Sequence, residues 1–160
     1  TQPQLPGSVV KENGSSKAAG KPLRLLLVDD NGVNQNLMAR ILGKRGHVVV
    51  TAGNGREALE ALLEQTFDLI LMDVQMPEMD GLEATRMIRE KEIGTGRHQP
   101  IVALTAHALK ADVQLCEDAG MDGYVSKPIR TELLMQTIHA VLRAKGEKFV
   151  LCDPLPAVKP

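Results

Sequence analysis

Five apolar runs of this chain end in polar residues that could do chemistry together. Those endings include Asp29 and Asp30, Asp73, Thr105 and Lys127. If the runs are parallel strands, their carboxyl ends meet at one edge of one sheet, where such sheets bind ligands. That edge then carries carboxylates, a hydroxyl and an ammonium group, a set that suits a divalent metal ion and a phosphoryl group.

The apolar runs alternate with segments whose apolar residues recur at helical spacing. Strands are predicted at residues 23–28, 47–52, 67–72, 101–104 and 124–125, with a helix after each. Five such units indicate an α/β fold, and we expect a doubly wound, five-stranded parallel sheet of flavodoxin-like order 2-1-3-4-5 with helices on both faces. In that order the first and third strands are neighbours, so Asp29 and Asp30 should face Asp73.

The length of 160 residues and the 43% hydrophobic content fit one domain with polar ends. We place the domain at residues 23–145. Residues 1–22 are rich in Gly, Ser, Pro and Lys, which predicts a flexible linker. Residues 146–160 are predicted to be a C-terminal tail or linker, with a docked strand at residues 149–151 as the alternative. Because the chain begins with Thr1, we expect a segment of a longer protein, although a recombinant product would begin in the same way.

Composition argues against several functions. A formal net charge of −1 gives no basic surface for nucleic acid. No apolar stretch approaches the roughly 20 residues of a membrane helix, so no membrane contact is expected from this segment. Cys116 and Cys152 lack metal-ligand spacing, and we interpret both as reduced thiols of a cytoplasmic protein, with a disulfide as the alternative.

Clustered carboxylates repel one another and therefore take up protons or bind a cation. Carboxylate oxygens without a nearby His or Cys favour Mg²⁺ over zinc. A carboxylate beside such a metal can attack phosphorus and form an aspartyl phosphate. Asp73 is the best candidate for this nucleophile because it follows a buried strand, and Asp29 and Asp30 can serve as metal ligands.

Four motifs carry a family resemblance: LVDDN at residues 27–31, LMDVQMPEMDG at 71–81, ALTA at 103–106 and YVSKP at 124–128. Together, in this order, they resemble the receiver domain of two-component response regulators over residues 23–143. The amino-acid sequence at residues 33–35 and 73–81 is most similar to that of receiver domains at the C-terminal end of hybrid histidine kinases.

The resemblance implies a role for each pocket residue. Asp73 would accept a phosphoryl group from a phosphohistidine. Asp30, Asp73 and the backbone carbonyl of Gln75 would bind Mg²⁺, while Asp29 would act mostly through a metal-bound water.

The resemblance also implies a switch. Thr105 would hydrogen-bond the phosphoryl oxygen and Lys127 would pair with it, aimed by a cis peptide bond before Pro128. Tyr124 would turn inward as Thr105 shifts toward the phosphate.

The partners implied are the phosphohistidine domain of a histidine kinase, a histidine phosphotransfer protein, or both. Leu37, Met38 and Ile41 on the first helix could form a docking face beside Pro128 and Ile129, although core packing must claim part of that stripe.

The predicted function is therefore a cytoplasmic phosphoacceptor that acts as a switch or as an intermediate in a phosphorelay. It is not expected to be a free-standing turnover enzyme, and the parent protein is expected to be a hybrid sensor kinase. One alternative is a phosphatase or phosphotransferase with the same nucleophile, but Gln75 stands where such enzymes usually carry a second Asp. The other alternative is a binding module that works without phosphate.

Overall fold

The computed structural model describes residues 22–76, 79–106, 109–145 and 149–150. Strands and helices alternate along these residues. In chain order they are β1 Arg24–Val28, α1 Gly32–Lys44, β2 Val48–Ala52, α2 Gly55–Glu64, β3 Leu69–Asp73, α3 Gly81–Glu92, β4 Ile101–Thr105, α4 Lys110–Ala119, β5 Gly123–Ser126 and α5 Thr131–Ala144.

The strands form one sheet in which every neighbouring pair is parallel, in the order β2-β1-β3-β4-β5. The predicted doubly wound α/β fold is confirmed. Because right-handed crossovers change face where the strand order reverses, α1 lies on one face and α2, α3 and α4 on the other. In agreement, α3 contacts both α2 and α4, while α5 packs on β4 and β5.

The core follows from strands that are covered on both faces. Residues 25–28 of β1 are fully buried, and β3 and β4 are buried along their whole lengths. Such near-continuous apolar strands are typical of parallel sheets between two helical layers. β2 lies at one edge and is less buried. The interior strands therefore hold their carboxyl ends in a fixed register.

Two strand ends differ from the predicted ones in a way that matters for the site. Asp73 is the last residue of β3 and pairs with Leu104, and Thr105 is the last residue of β4 and pairs with Ser126. Both had been expected just beyond their strands. Since the ladder includes them, their backbones are fixed by the sheet and not by a loop.

A segment after α5 lies along β5. Val150 forms a parallel bridge with Gly123, its N–H donates to the Asp122 carbonyl at 2.7 Å, and the Phe149 ring stacks on Tyr124 with centroids 6.3 Å apart. Contacts with the domain thus extend past residue 145, to residues 149 and 150. These residues lie within the segment 149–151 that the sequence offered as an alternative docked strand.

The predicted linker, apart from residue 22, and most of the predicted tail lie outside the described residues, as does Cys152. Among the described helices, none has the length and apolar character needed to cross a membrane.

A buried histidine supports the start of β1. His47 is 7% exposed, and its Nδ1 accepts the N–H of Leu23 at 3.0 Å. Burial lowers the pKa of His47, the charges of His139 and Arg45 lower it further, and Asp68 opposes them. The neutral ring is therefore the form that the fold requires.

His47 makes stability depend on pH. The unfolded chain protonates this ring near its ordinary pKa of 6.5, whereas the folded chain resists protonation. Folding stability should therefore fall as the pH drops below about 6.5, by at most roughly 1.4 kcal/mol per pH unit. Urea unfolding between pH 7.5 and 5.5 should show a steeper loss for the wild type than for His47→Gln. His139→Gln is the companion variant: it removes one of the charges that lower the pKa of His47 but leaves the burial, which is the largest cause, so it should keep most of the slope. Equal slopes for wild type and His47→Gln would contradict this role.

Candidate functional site

Three carboxylates meet at the carboxyl end of the sheet. Asp29, Asp30 and Asp73 each offer an oxygen, and these oxygens lie within 4.8 Å of one another. Asp29 and Asp73 are 2% and 4% exposed, while Asp30 is exposed. The strand register explains the meeting: Val28 pairs with Met72, so the residues that follow them on β1 and β3 are side by side.

Lys127 reaches this cluster from the end of β5. Its Nζ lies 3.2 Å from Oδ2 of Asp73, and its backbone N–H donates to the Thr105 carbonyl at 2.7 Å. The peptide bond between Lys127 and Pro128 is cis. The sheet thus brings the ammonium group to the carboxylate from 54 residues away in sequence.

Thr105 lies on β4 and Tyr124 on β5, the strand that Lys127 follows. Thr105 ends β4, next to β3 in the sheet, and is 6% exposed. Tyr124 pairs with Ala103, two residues before Thr105, and is 9% exposed. The two predicted switch residues therefore lie on adjacent strands near the acidic cluster.

Described residues that follow β3 contact Asp73 through their backbones. The N–H of Gln75 donates to Oδ1 of Asp73 at 3.2 Å, and the N–H of Gly81 donates to the Val74 carbonyl at 3.0 Å. A Cβ at Gly81 would lie 2.3 Å from the Asp73 carbonyl oxygen. Only glycine lets α3 begin this close to the end of β3.

Burial raises the pKa of the Asp73 carboxyl, and the charge of Asp29 raises it further. Lys127 opposes the shift through its charge and its hydrogen bond, and the Gln75 N–H opposes it as well. Because burial outweighs these contacts, the ionised carboxylate is held in an unfavourable state. A cation at the cluster would relieve it.

The donor chemistry of the cluster fits a hard divalent cation. The three groups offer only carboxylate oxygens, and the metal-binding groups found among the described residues include no His or Cys. Oxygen ligands from a few carboxylates, with water completing the shell, suit Mg²⁺. Nothing in the set favours zinc, which prefers nitrogen and sulfur ligands.

Asn31 and Gln35 support the acidic loop, which is formed by Asp29 and Asp30 after β1, and neither is among the predicted site residues. Asn31 caps α1, where its side chain accepts the N–H groups of Val33 and Asn34. Gln35 donates its side-chain amide to the carbonyls of Asp29 and Ala52. A cap signal was present at Asn31, because Asn before a helical run is a preferred N-cap. The contact of Gln35 joins the ends of β1 and β2, and no local sequence pattern around Gln35 indicates it.

The family model of the response regulator receiver domain, a description of the family's sequences, matches residues 25–139 of this chain. Among curated proteins, the chain is 44% identical over 123 residues to hybrid signal transduction histidine kinase I of Dictyostelium discoideum, covering 74% of this chain. It is 37% identical to histidine kinase 1 of Arabidopsis thaliana, covering 82% of this chain. The chain spans only 7% and 14% of the lengths of these two relatives.

Solved structures give the same picture. The receiver domain of a sensor histidine kinase from Pseudomonas aeruginosa, solved with magnesium in its active-site cleft, is similar with a TM-score of 0.68 and 37% identity over 77% of this chain and 99% of that one. A receiver domain from Saccharomyces cerevisiae, crystallised with the histidine phosphotransfer protein Ypd1, gives a TM-score of 0.71 and 31% identity over 78% and 92%. The chain belongs to the response regulator receiver domain family of two-component signalling.

Proposed function

We propose that this receiver domain takes a phosphoryl group from a phosphohistidine onto Asp73, with Mg²⁺ as cofactor, and serves as a switch or as an intermediate in a phosphorelay. The carrying observation is the placement of Asp73, which is 4% exposed, among two further carboxylates and within 3.2 Å of the Lys127 ammonium group. Phosphoryl transfer sites commonly combine carboxylates that hold Mg²⁺ with a Lys that stabilises the charge on the phosphoryl group.

The transfer itself requires little from the protein beyond position and charge. An Asp73 oxygen forms a bond to phosphorus while the bond from phosphorus to the histidine nitrogen breaks, and that nitrogen leaves with the electron pair. Lys127 then has a second anionic partner, the transferred phosphoryl oxygens, and the Thr105 hydroxyl can donate to one of them.

Asp29, Asp30, Asp73 and the backbone carbonyl of Gln75 are the groups we assign to Mg²⁺. When bound, the cation neutralises negative charge on both the carboxylates and the phosphoryl oxygens. The similar receiver of the Pseudomonas kinase holds magnesium in its cleft, which supports this assignment.

The enzyme alternative lacks a proton donor at the expected place. A turnover phosphatase needs an acid that protonates the leaving group, and the side chain two residues after Asp73 is the amide of Gln75. The longer relatives are histidine kinases, and we propose that this domain serves such a kinase or a histidine phosphotransfer protein. A cytoplasmic location, where a thiol such as Cys116 stays reduced, is part of the same proposal.

The partner face is proposed on α1. Val33 and Leu37 are 75% and 56% exposed, whereas Met38 is buried in the core. Met38 is thus the part of the predicted stripe that core packing claims, and Leu37 stays exposed. Val33, which the predicted stripe did not include, extends this exposed apolar surface toward Asp29 and Asp30. The yeast receiver that binds Ypd1 supports a histidine phosphotransfer protein as the class of partner.

Phosphorylation is tested by mass. Incubation with acetyl phosphate and Mg²⁺ should add one phosphoryl group to the wild type, and chelation of Mg²⁺ should suppress the addition. Asp73→Asn should stay unmodified, while Asp118→Asn, a change of the same type at an exposed position on α4, should be labelled normally. Full labelling of Asp73→Asn would refute Asp73 as the acceptor. Rapid multiple turnover of a phosphate monoester would favour the phosphatase alternative instead.

Charge relief at Asp73 is tested by thermal unfolding. Since the folded-state pKa of Asp73 is raised above its ordinary value of 3.8, ionisation weakens the fold at neutral pH. Without Mg²⁺, Asp73→Asn should unfold a few degrees higher than the wild type, on the scale of about 1 kcal/mol. The gap should narrow as the pH falls and close below 3.8, because the Asp73 carboxyl of the wild type is then protonated in the folded and in the unfolded chain.

Magnesium provides the matching half of that measurement. Addition of Mg²⁺ should raise the unfolding temperature of the wild type more than that of Asp73→Asn, because a ligand that binds the folded state stabilises it by an amount that grows with the logarithm of its affinity. Asp118→Asn should behave like the wild type throughout. A variant Asp73→Asn that is less stable than the wild type in Mg²⁺-free buffer would show that burial does not disfavour the charge.

The α1 face is tested by separating the two sources of phosphoryl group. Leu37→Glu should slow transfer from a phosphorylated histidine phosphotransfer protein that labels the wild type, by roughly tenfold or more for a central apolar contact. Labelling by acetyl phosphate should not change. The control is Leu63→Glu, because Leu63 is 77% exposed and lies at the end of α2, on the other side of the sheet. An equal effect of both variants, or none, would rule out α1 as the docking face.

A further inference from the structure

Gln35 lies in the first turns of α1 and reaches back to the ends of two strands. Its Nε2 donates to the carbonyl of Asp29 at 2.5 Å and to the carbonyl of Ala52 at 3.1 Å. Asp29 follows β1, and Ala52 is the last residue of β2. One side-chain amide thus joins the acidic loop to the neighbouring strand.

The contact of Gln35 completes the fixation of Asp29. The Asp29 N–H donates to the Ala52 carbonyl at 3.0 Å, and Oδ1 of Asp29 accepts the N–H of Asn31 at 2.8 Å. With the carbonyl held by Gln35, the backbone N–H, the backbone C=O and one carboxylate oxygen of Asp29 all have partners. The carboxylate is therefore aimed into the cluster before any cation arrives.

We propose that Gln35 is a positioning residue of the magnesium site, which holds the Asp29 and Asp30 loop at the distance from Asp73 that a cation needs. The inference rests on the proposed function. Like charges within 4.8 Å of one another push this loop away from β3. On the β1 side, the hydrogen bonds of Asp29 oppose this repulsion. The one from Gln35 comes from a side chain outside the acidic loop.

The contact depends on both the length and the donors of the Gln35 side chain. Both acceptors are carbonyl oxygens, and the neutral amide supplies two N–H donors on one nitrogen. Met has the same length without a donor, and Asn has the donors on a side chain that is one methylene shorter. Gln35→Met therefore removes the donors and keeps the length, whereas Gln35→Asn keeps the donors and shortens the side chain. Both residues can be accommodated in α1.

The test measures the Mg²⁺ dissociation constant of the full chain by calorimetric titration. Gln35→Met and Gln35→Asn should each bind Mg²⁺ about tenfold more weakly than the wild type, the size expected when an outer partner of a metal ligand is lost. The matched control is Gln114→Met, since Gln114 is exposed on α4 and its amide bonds only Asp118 among the contacts the structure gives. If Gln35→Met does not fold, the polar Gln35→Asn variant carries the test.

A spectroscopic signature separates positioning from simple stabilisation. The amide signals of Asp29 and Asn31 report the loop, because their N–H groups bond the Ala52 carbonyl and the Asp29 carboxylate. In both Gln35 variants these signals should move in the Mg²⁺-free state, while that of Gln75 on the Asp73 side should move less. Unchanged Mg²⁺ affinity with a lowered unfolding temperature would overturn the inference and leave Gln35 a structural residue. Absence of Mg²⁺ binding by the wild type would instead overturn the proposed function.

Discussion

The burial of carboxylates at adjacent strand ends is the constraint on which the rest of the site depends, and their mutual repulsion adds to it. Asp29 and Asp73 are almost fully buried, and the parallel register of β1 and β3 gives them no freedom to separate. Their carboxylate oxygens lie within 4.8 Å of each other, so the charge of Asp29 adds a smaller unfavourable effect to that of burial. Lys127 offsets part of this, and yet the pKa of Asp73 remains raised because burial dominates. The site therefore favours any species that brings positive charge.

The sheet can tolerate this repulsion because its apolar interior is large compared with the cost. β1, β3 and β4 bury nearly all their side chains, and each buried Leu or Ile contributes about 1.5–3 kcal/mol. Several such residues outweigh one unfavourable charge. The same packing prevents the strands from sliding apart, since a change of register would expose a whole apolar face. Stability and strain at the site thus come from the same strands.

The sequence was sufficient for the parts of the structure that repeat. Alternating apolar strands and helical stripes predicted the α/β fold, while the strand order was taken from the arrangement that is commonest in small doubly wound sheets. That order placed Asp29 beside Asp73. The ends of β3 and β4 were predicted less well, because a polar residue that pairs in the ladder is indistinguishable in sequence from the first residue of a loop. Gln35 and Phe149 were harder still, since their contacts depend on three-dimensional proximity to strands far away in the chain.

Both the acidic site and residues 149–150 contact β5 or the residue that follows it, so this strand links the site to the C-terminal segment. Lys127 follows β5 and contacts Asp73, while Tyr124 within β5 stacks on Phe149 and donates its N–H to the Val150 carbonyl at 3.3 Å. An edge strand normally leaves backbone groups open for pairing with other chains. Here Phe149 and Val150 occupy part of that edge. Any displacement of β5 that follows a change of charge at Asp73 must therefore also act on the chain beyond α5, because the backbone of Tyr124 is bonded to it.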